Sequence, residues 1–239
     1  MKYIVSYLIA TLFLFPLFAE EVGVVTFIQG KAILTGPRTK AGGENIRINQ
    51  VLKKDDTVET KEGVVEIQLA TQATIRMEKF SKLSLQDILN PKTKQTNVRA
   101  YSGKLFVKAH KQPSGGSNKL TISSPSYVAG VRGTEFLVAL PESGGTNNDL
   151  KLDDGVYVNE GTVAVQSDEK SKEVLVKENE EIVVNGKELK KQILNEYARE
   201  KMKIFEKLDQ MKEENYKLIK EQFLKNEETM NEMKGKKNE

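Results

Sequence analysis

The feature that most constrains this fold is a break in residue usage at Asn185-Gly186. Beyond it, from Lys187 to about Met233, there is neither proline nor glycine and helix-forming residues dominate. Before it, short apolar runs alternate with glycine and proline from Val22 onward. A β-rich body followed by one long helix is the expected outcome, at residues 20–185 and 187–239.

Within the first part the strand signals are regular. Val22–Ile28 meets a turn at Gln29-Gly30, and Val64–Leu69, Ala73–Met77 and Leu83–Leu85 alternate as half-buried strands do. Asn97–Tyr101 and Lys104–Val107 flank Ser102-Gly103, which predicts a hairpin there. Pro113–Ser117 and Pro141–Gly145 read as exposed loops. Many short strands with a turn every eight to twelve residues or so describe a sandwich, a barrel or a solenoid. No exact repeat marks a regular solenoid.

The most specific stretch runs from Ser123 to Val138. Pro125 fixes φ at an entry corner, Gly130 and Gly133 bracket Val131-Arg132 as points of bending or close approach, and Thr134 to Leu140 reads as a buried strand carrying Phe136. Arg132 has two readings. As a structural arginine it satisfies buried carbonyls or a carboxylate such as Glu135; as a binding arginine it holds a ligand or partner. The residues Thr121–Pro125, then Val131-Arg132-Gly133-Thr134-Glu135-Phe136, then Val156–Val165 with Glu160-Gly161, resemble the signature of the FecR domain family. Two upstream pieces resemble it as well: Leu52–Thr60, with Lys54 where the family has glycine, and Ser102–Val107. The likeness spans about residues 22–185 and implies an irregular β-helix-like or solenoid-like coil of strands, with a sandwich as the other possibility. Pro125, Gly130, Arg132, Gly133, Thr134, Phe136, Glu160 and Gly161 are the residues it singles out as structural or partner-binding.

Several chemistries drop out. The chain has no cysteine, hence no disulfide framework or thiol chemistry, and His110 is its one histidine, read as a surface residue. A net charge of +3, from 37 basic and 34 acidic side chains, is too small a bias for nucleic acid. Asp149, Asp153 and Asp154 lack calcium-loop spacing and read as a solvated turn; Glu178, Glu180 and Glu181 read as another exposed turn. No glycine-rich loop carries the lysine and helix of a phosphate site. The expectation is a non-enzyme with no cofactor, no catalytic or metal residues and no nucleic-acid partner.

Residues 1–19 combine Lys2, an apolar run from Tyr3 to Phe18 and Ala19, the pattern of a secretory signal peptide cleaved before Glu20; an uncleaved anchor is the alternative. At the other end, Leu189, Ile193 and Tyr197, then Ile204, Leu208 and Met211, then Tyr216, Ile219, Phe223, Met230 and Met233 keep helical spacings. The helix seam is therefore expected at Ile204, Leu208, Met211, Ile219 and Phe223, with Asn215 and Asn226 interrupting it. A helix of about 45 residues is roughly 70 Å long. Its seam calls for a coiled coil with itself or another envelope protein, or for packing back on its own β-domain.

The best-known members of the resembling family relay iron-transport signals and carry a cytoplasmic sigma-factor-binding segment before a membrane span. Two residues precede the apolar run here, so that segment is expected to be missing. What the resemblance then implies is a bacterial periplasmic or outer-envelope protein-binding scaffold with an oligomerisation or docking helix. A sensor linked to outer-membrane transport and a glycan- or peptidoglycan-binding module are the alternatives.

Overall fold

A computed structural model describes residues 21–71, 73–87, 95–109, 119–131, 133–142, 152–168 and 171–235. The body is a 17-stranded sheet folded into two facing layers. One layer runs β4 (Val51–Lys53), β1 (Glu21–Gln29), β6 (Val64–Leu69), β7 (Ala73–Met77), β9 (Gln95–Ala109), β12 (Glu135–Leu140), β13 (Gly155–Glu160), β16 (Glu180–Asn185), β17 (Glu188–Ile193). The second runs β3 (Glu44–Asn45), β2 (Ala32–Thr35), β5 (Thr57–Thr60), β8 (Lys82–Asp87), β9, β10 (Lys119–Ser123), β11 (Val128–Val131), β14 (Thr162–Gln166), β15 (Val174–Lys177). Apart from β9–β10, which is parallel, these pairings are antiparallel.

In both layers the strand order follows chain order with one exchange at the N-terminal end, so the chain winds along the stack, laying successive hairpins alternately in the first and second layer. This is the irregular, coil-like β architecture anticipated, and it is an open sheet rather than a closed barrel. Alternation turns every second side chain inward. Val25, Ile75, Leu105, Phe136, Val138 and Val156 of the first layer meet Val58, Leu83, Val98, Ile122, Ala129 and Val163 of the second in one continuous core.

β9 joins the layers, and here the expected hairpin is corrected. Residues 97–102 pair with β8 in the second layer, and residues 103–108 pair with β12 in the first. Ser102-Gly103 is thus a corner within a single strand. Gly103 has φ +84°, and a Cβ on it would sit 2.5 Å from Ser81 Cα. Only glycine permits that approach. The Ser81 hydroxyl clamps the corner by accepting from Lys104 N at 2.9 Å and donating to Lys104 O at 3.2 Å.

The turn before β5 has a similar lock. Asp55, not Lys54, carries the left-handed backbone there, with φ +66°. Asp56 is buried; its carboxylate accepts from Lys53 N at 2.8 Å and from the Arg38 guanidinium at 3.0 Å. Buried Thr60 donates to Glu78 O at 2.6 Å and accepts from Ser81 N at 2.9 Å. The Asp-x-Val-x-Thr spacing is therefore a set of turn clamps around the inward-facing Val58.

The helix, α1 (Glu196–Gly235), begins later than its sequence pattern indicates. Residues 188–193, expected in its first turns, form β17 against β16. The Asn185–Lys187 turn, with Gly186 at φ +63°, reverses the chain, and pairing outweighs the helical propensity of Lys190 and Lys191. Asn195 caps α1 by accepting from Tyr197 N at 2.8 Å. Glu181 is 2% exposed rather than part of an exposed turn; it accepts from Asn195 N at 2.7 Å and from the Gln192 amide at 2.6 Å. A carboxylate that takes donors from both neighbouring segments sets where β17 ends and α1 starts.

Candidate functional site

Two regions hold the residues that the sequence singled out. The first is the β11–β14 neighbourhood. Ser124 begins a tight turn: its hydroxyl accepts from Ser126 N (3.2 Å) and Tyr127 N (3.0 Å), leaving Pro125 exposed at the bend. Gly130 is an ordinary β11 residue; a Cβ there would meet only Ala164 O, at 3.9 Å, so neither the bend nor the close approach expected of it is present. Gly133 is different, with φ +61°. Thr134 beside it is 2% exposed, and its carbonyl accepts from Ala109 N at 2.8 Å.

Gly161 completes this corner from the other end of the signature. Its φ is +87°, and a Cβ would lie 2.6 Å from Thr134 Cγ2 and 2.8 Å from Gly133 O. Glu135 pairs with Glu160 where the β12–β13 register shifts, and Phe136 is fully buried. Two segments distant in sequence therefore interlock through Gly133, Thr134 and Gly161, while Glu160 is exposed. Arg132 and His110 lie outside the described residues, as do Asp149 and residues 1–19.

Sequence reasoning passed over two tyrosines at the same end. Tyr127 is buried, and its hydroxyl donates to Gly155 O at 2.9 Å, with Ala139 O at 3.2 Å. Burial, reinforced by Asp154 and Tyr157, lifts its pKa well above the usual tyrosine value. Tyr157 donates to Asp153 O at 2.9 Å. Asp154 accepts from Ser126 Oγ at 2.9 Å, and burial raises its pKa. A tyrosine inside a Ser-Pro-Ser turn was the available signal, since a buried ring needs a partner for its hydroxyl. These contacts brace the turn, and no cluster of potential metal ligands occurs among the described residues.

The second region is α1. Its first turns lie on the outer face of the first layer, where Ala198 and Met202, with Phe205 at the margin, cover Phe106, Leu137, Ala139 and Tyr157. The Phe205 ring lies over Phe106 with centroids 3.6 Å apart, and the Arg76 guanidinium sits 5.1 Å from Phe205 and 5.5 Å from Phe27. Around this patch, Arg76 pairs with Glu78 (3.4 Å) and Glu66 (3.7 Å), Lys108 with Asp209 (3.4 Å) and Glu135 (3.8 Å), and Lys212 with Glu66 (2.6 Å). Burial raises the Glu135 pKa; Lys108 opposes the rise, and Glu206 and Asp209 add to it. The cleft left between helix and sheet holds about 40 Å³, far below the few hundred Å³ of a typical small-molecule site.

Past Lys212 the helix leaves the domain, and every described side chain from Glu213 to Met230 is exposed. Tyr216, Ile219 and Phe223 are 67%, 68% and 66% exposed, and Leu218, Leu224 and Met230 accompany them. The expected seam is placed only in part. Leu208 is half-buried at the edge of the docked patch, whereas Ile204 and Met211 face solvent. The docked stripe is one residue out of phase with Ile204, at Ala198, Met202 and Phe205. Ile219 and Phe223 belong to the free segment. No described helix is long and apolar enough to cross a membrane.

Comparison with known proteins bears on the β-domain. No curated protein matches the sequence significantly. Two crystal structures, at 2.50 Å and 1.65 Å, of a protein provisionally assigned as an anti-sigma factor from Parabacteroides distasonis ATCC 8503 are similar at 15% identity and a TM-score of 0.46. The match covers 58% of this chain and 60% of that one, and a likeness so loose carries no assignment of function. The family model described as FecR protein matches residues 56–164, from the clamp residue Asp56 through the Gly133–Gly161 interlock. Over residues 56–164 this chain is therefore similar to the FecR protein family.

Proposed function

We propose that this is an exported, non-enzymatic FecR-domain protein of the bacterial envelope, whose β-domain acts as a rigid mount for a protein-binding helix. One observation carries this reading: α1 is anchored firmly by Asn195, Met202 and Phe205, then runs about 23 residues, roughly 34 Å, away from the domain with its apolar side chains in solvent. Monomeric proteins rarely expose a continuous apolar stripe without a partner for it. The leader-like residues 1–19 support export, and the exposed Tyr216, Ile219 and Phe223 of α1 favour a protein partner.

The test is deletion of residues 213–239 in cells, with chemical cross-linking of the intact and shortened proteins. The intact chain is expected to yield a specific cross-linked species in the envelope fraction that the shortened chain lacks. Identical cross-linking patterns would overturn the reading. N-terminal sequencing of the mature protein is expected to begin at Glu20.

The FecR match favours a second reading, a sensor component that relays the state of an outer-membrane transporter. It predicts altered transcription of transport genes when the gene is lost, and an unchanged profile would exclude it. Glycan binding has less behind it: among the described residues of the β-domain the most exposed aromatic is Tyr101, at 39%, and Arg99 lies over its ring at 5.7 Å.

A further inference from the structure

The free half of α1 continues the stripe of the docked half without a change of phase. Residues 198, 202, 205, 209, 212, 216, 219, 223, 226 and 230 alternate in steps of four and three, the heptad spacing of a coiled-coil seam. The domain covers the first of these, Ala198, Met202 and Phe205. At its rim the stripe turns polar, where Asp209 pairs with Lys108 and Lys212 with Glu66. Beyond the rim it turns apolar again at Tyr216, Ile219, Phe223 and Met230, all exposed. The polar step marks where the domain's cover ends and a second cover begins.

The charges beside this stripe identify the second cover. In heptad terms Met202, Tyr216, Phe223 and Met230 are a positions, and Phe205, Ile219 and Asn226 are d positions. The e positions next to them in the free half are Glu213, Lys220, Glu227 and Lys234, and the g positions are the uncharged Asn215, Gln222 and Thr229. A row that alternates minus, plus, minus, plus is complementary to its own reverse. In an antiparallel pair, e positions face e positions and each a layer faces a d layer. With Ile219 opposite Met230 of the second copy, and Phe223 opposite Asn226 of the second copy, Lys220 falls opposite Glu227 and Glu213 opposite position 234. Each charge then meets its opposite and like charges are kept apart. A parallel pair sets g against e, which brings Gln222 to Glu227 and Asn215 to Lys220 with no ion pair, and stacks Asn226 on itself.

We infer that the free half of α1 binds the same segment of a second copy of this chain, antiparallel, in this register. The inference rests on the role proposed above for α1 and specifies its partner. In the resulting assembly two FecR domains stand at opposite ends of a short rod, with the crossing point between Leu224 and Lys225.

The chain has no cysteine, so introduced cysteines report the register cleanly. In the full chain, Ile219→Cys mixed with Met230→Cys is expected to form covalent dimers under mild oxidation, and each variant alone at least tenfold fewer. Equal or stronger self-linking by Ile219→Cys alone means a parallel pair and overturns the inference. Charge reversal gives an independent readout by sedimentation equilibrium. Lys220→Glu places two like-charged pairs in each dimer and should raise its dissociation constant about tenfold, and Lys220→Glu with Glu227→Lys should restore it. Failure of the double reversal to restore dimerisation would also overturn the register. A full chain that stays monomeric at high concentration, yet still cross-links to another envelope protein through residues 213–239, would overturn self-pairing and leave the proposed function standing. Loss of both associations would remove both.

Discussion

Met202 and Met230 occupy the same heptad position of one helix, yet one is 1% and the other 52% exposed. The helical pattern around them is continuous, and what differs is the sheet beneath. Under Met202 the outer face of the first layer carries Phe106, Leu137 and Tyr157; by Glu213 the helix has passed Lys212 with Glu66, the last domain contact among the described residues. A stripe that is core at one end is thus a free surface at the other, and the same amphipathic helix serves as anchor and as arm. The contrast shows that periodicity specifies a face to be covered without specifying what covers it.

Substitutions can break or sharpen this contrast. The largest effect is expected at the domain core, where Phe136→Ala removes a fully buried ring and should cost about 3–5 kcal/mol in chemical denaturation. If the loss stayed under about 1 kcal/mol, the interlocked corner would not be the structural centre described. Next, Met202→Ala should cost about 2–4 kcal/mol and Met230→Ala within about 0.5 kcal/mol in domain unfolding. Equal effects would dissolve the distinction between docked and free halves.

Gly161→Ala combines a left-handed backbone with a clash against Thr134 and Gly133, and a loss of about 2 kcal/mol in thermal unfolding is expected. Gly130→Ala, with open space at its Cβ and a strand conformation, should be close to neutral.

The smallest effect concerns pH at the helix–sheet rim. The pKa of Glu135 is raised from 4.5 in the folded state, chiefly by burial, so folding favours its protonated form. Its contribution to stability is complete below about pH 4.5 and is lost as pH rises through the higher folded-state value. Glu135→Gln should therefore gain on the parent protein as pH rises from acid toward neutral, and parallel stability–pH curves for the two would count against a desolvated carboxylate at this rim.

Much of the architecture was legible in residue order. Alternation at Val64–Leu69 and Ala73–Met77 gave real strands, and the proline- and glycine-free tail gave a real helix. The errors occur where a local signal competes with a distant one. Ser102-Gly103 has hairpin chemistry, but its corner is taken by Ser81, and the strand carries on into the other layer. Residues 188–193 have helix formers, but the exposed edge of β16 offers them a ladder. Glu181 looks like a solvent residue until Asn195 and Gln192 are brought against it. In the signature, the residue types of Gly133, Thr134 and Gly161 mark them as special, yet their mutual contact joins positions too far apart in sequence for any local pattern to display it.

By itself, then, the sequence determined the element types, the division between β-body and helix, and the presence of an apolar stripe, because these depend on backbone propensity and on periods of two and 3.6 that any short window displays. Only the tertiary structure decided which stretch of that stripe is core and which is surface, where β9 turns from one layer to the other, and which carboxylates are buried. Those outcomes depend on which groups from elsewhere in the chain arrive to remove water, a property of the packed assembly that no local window contains.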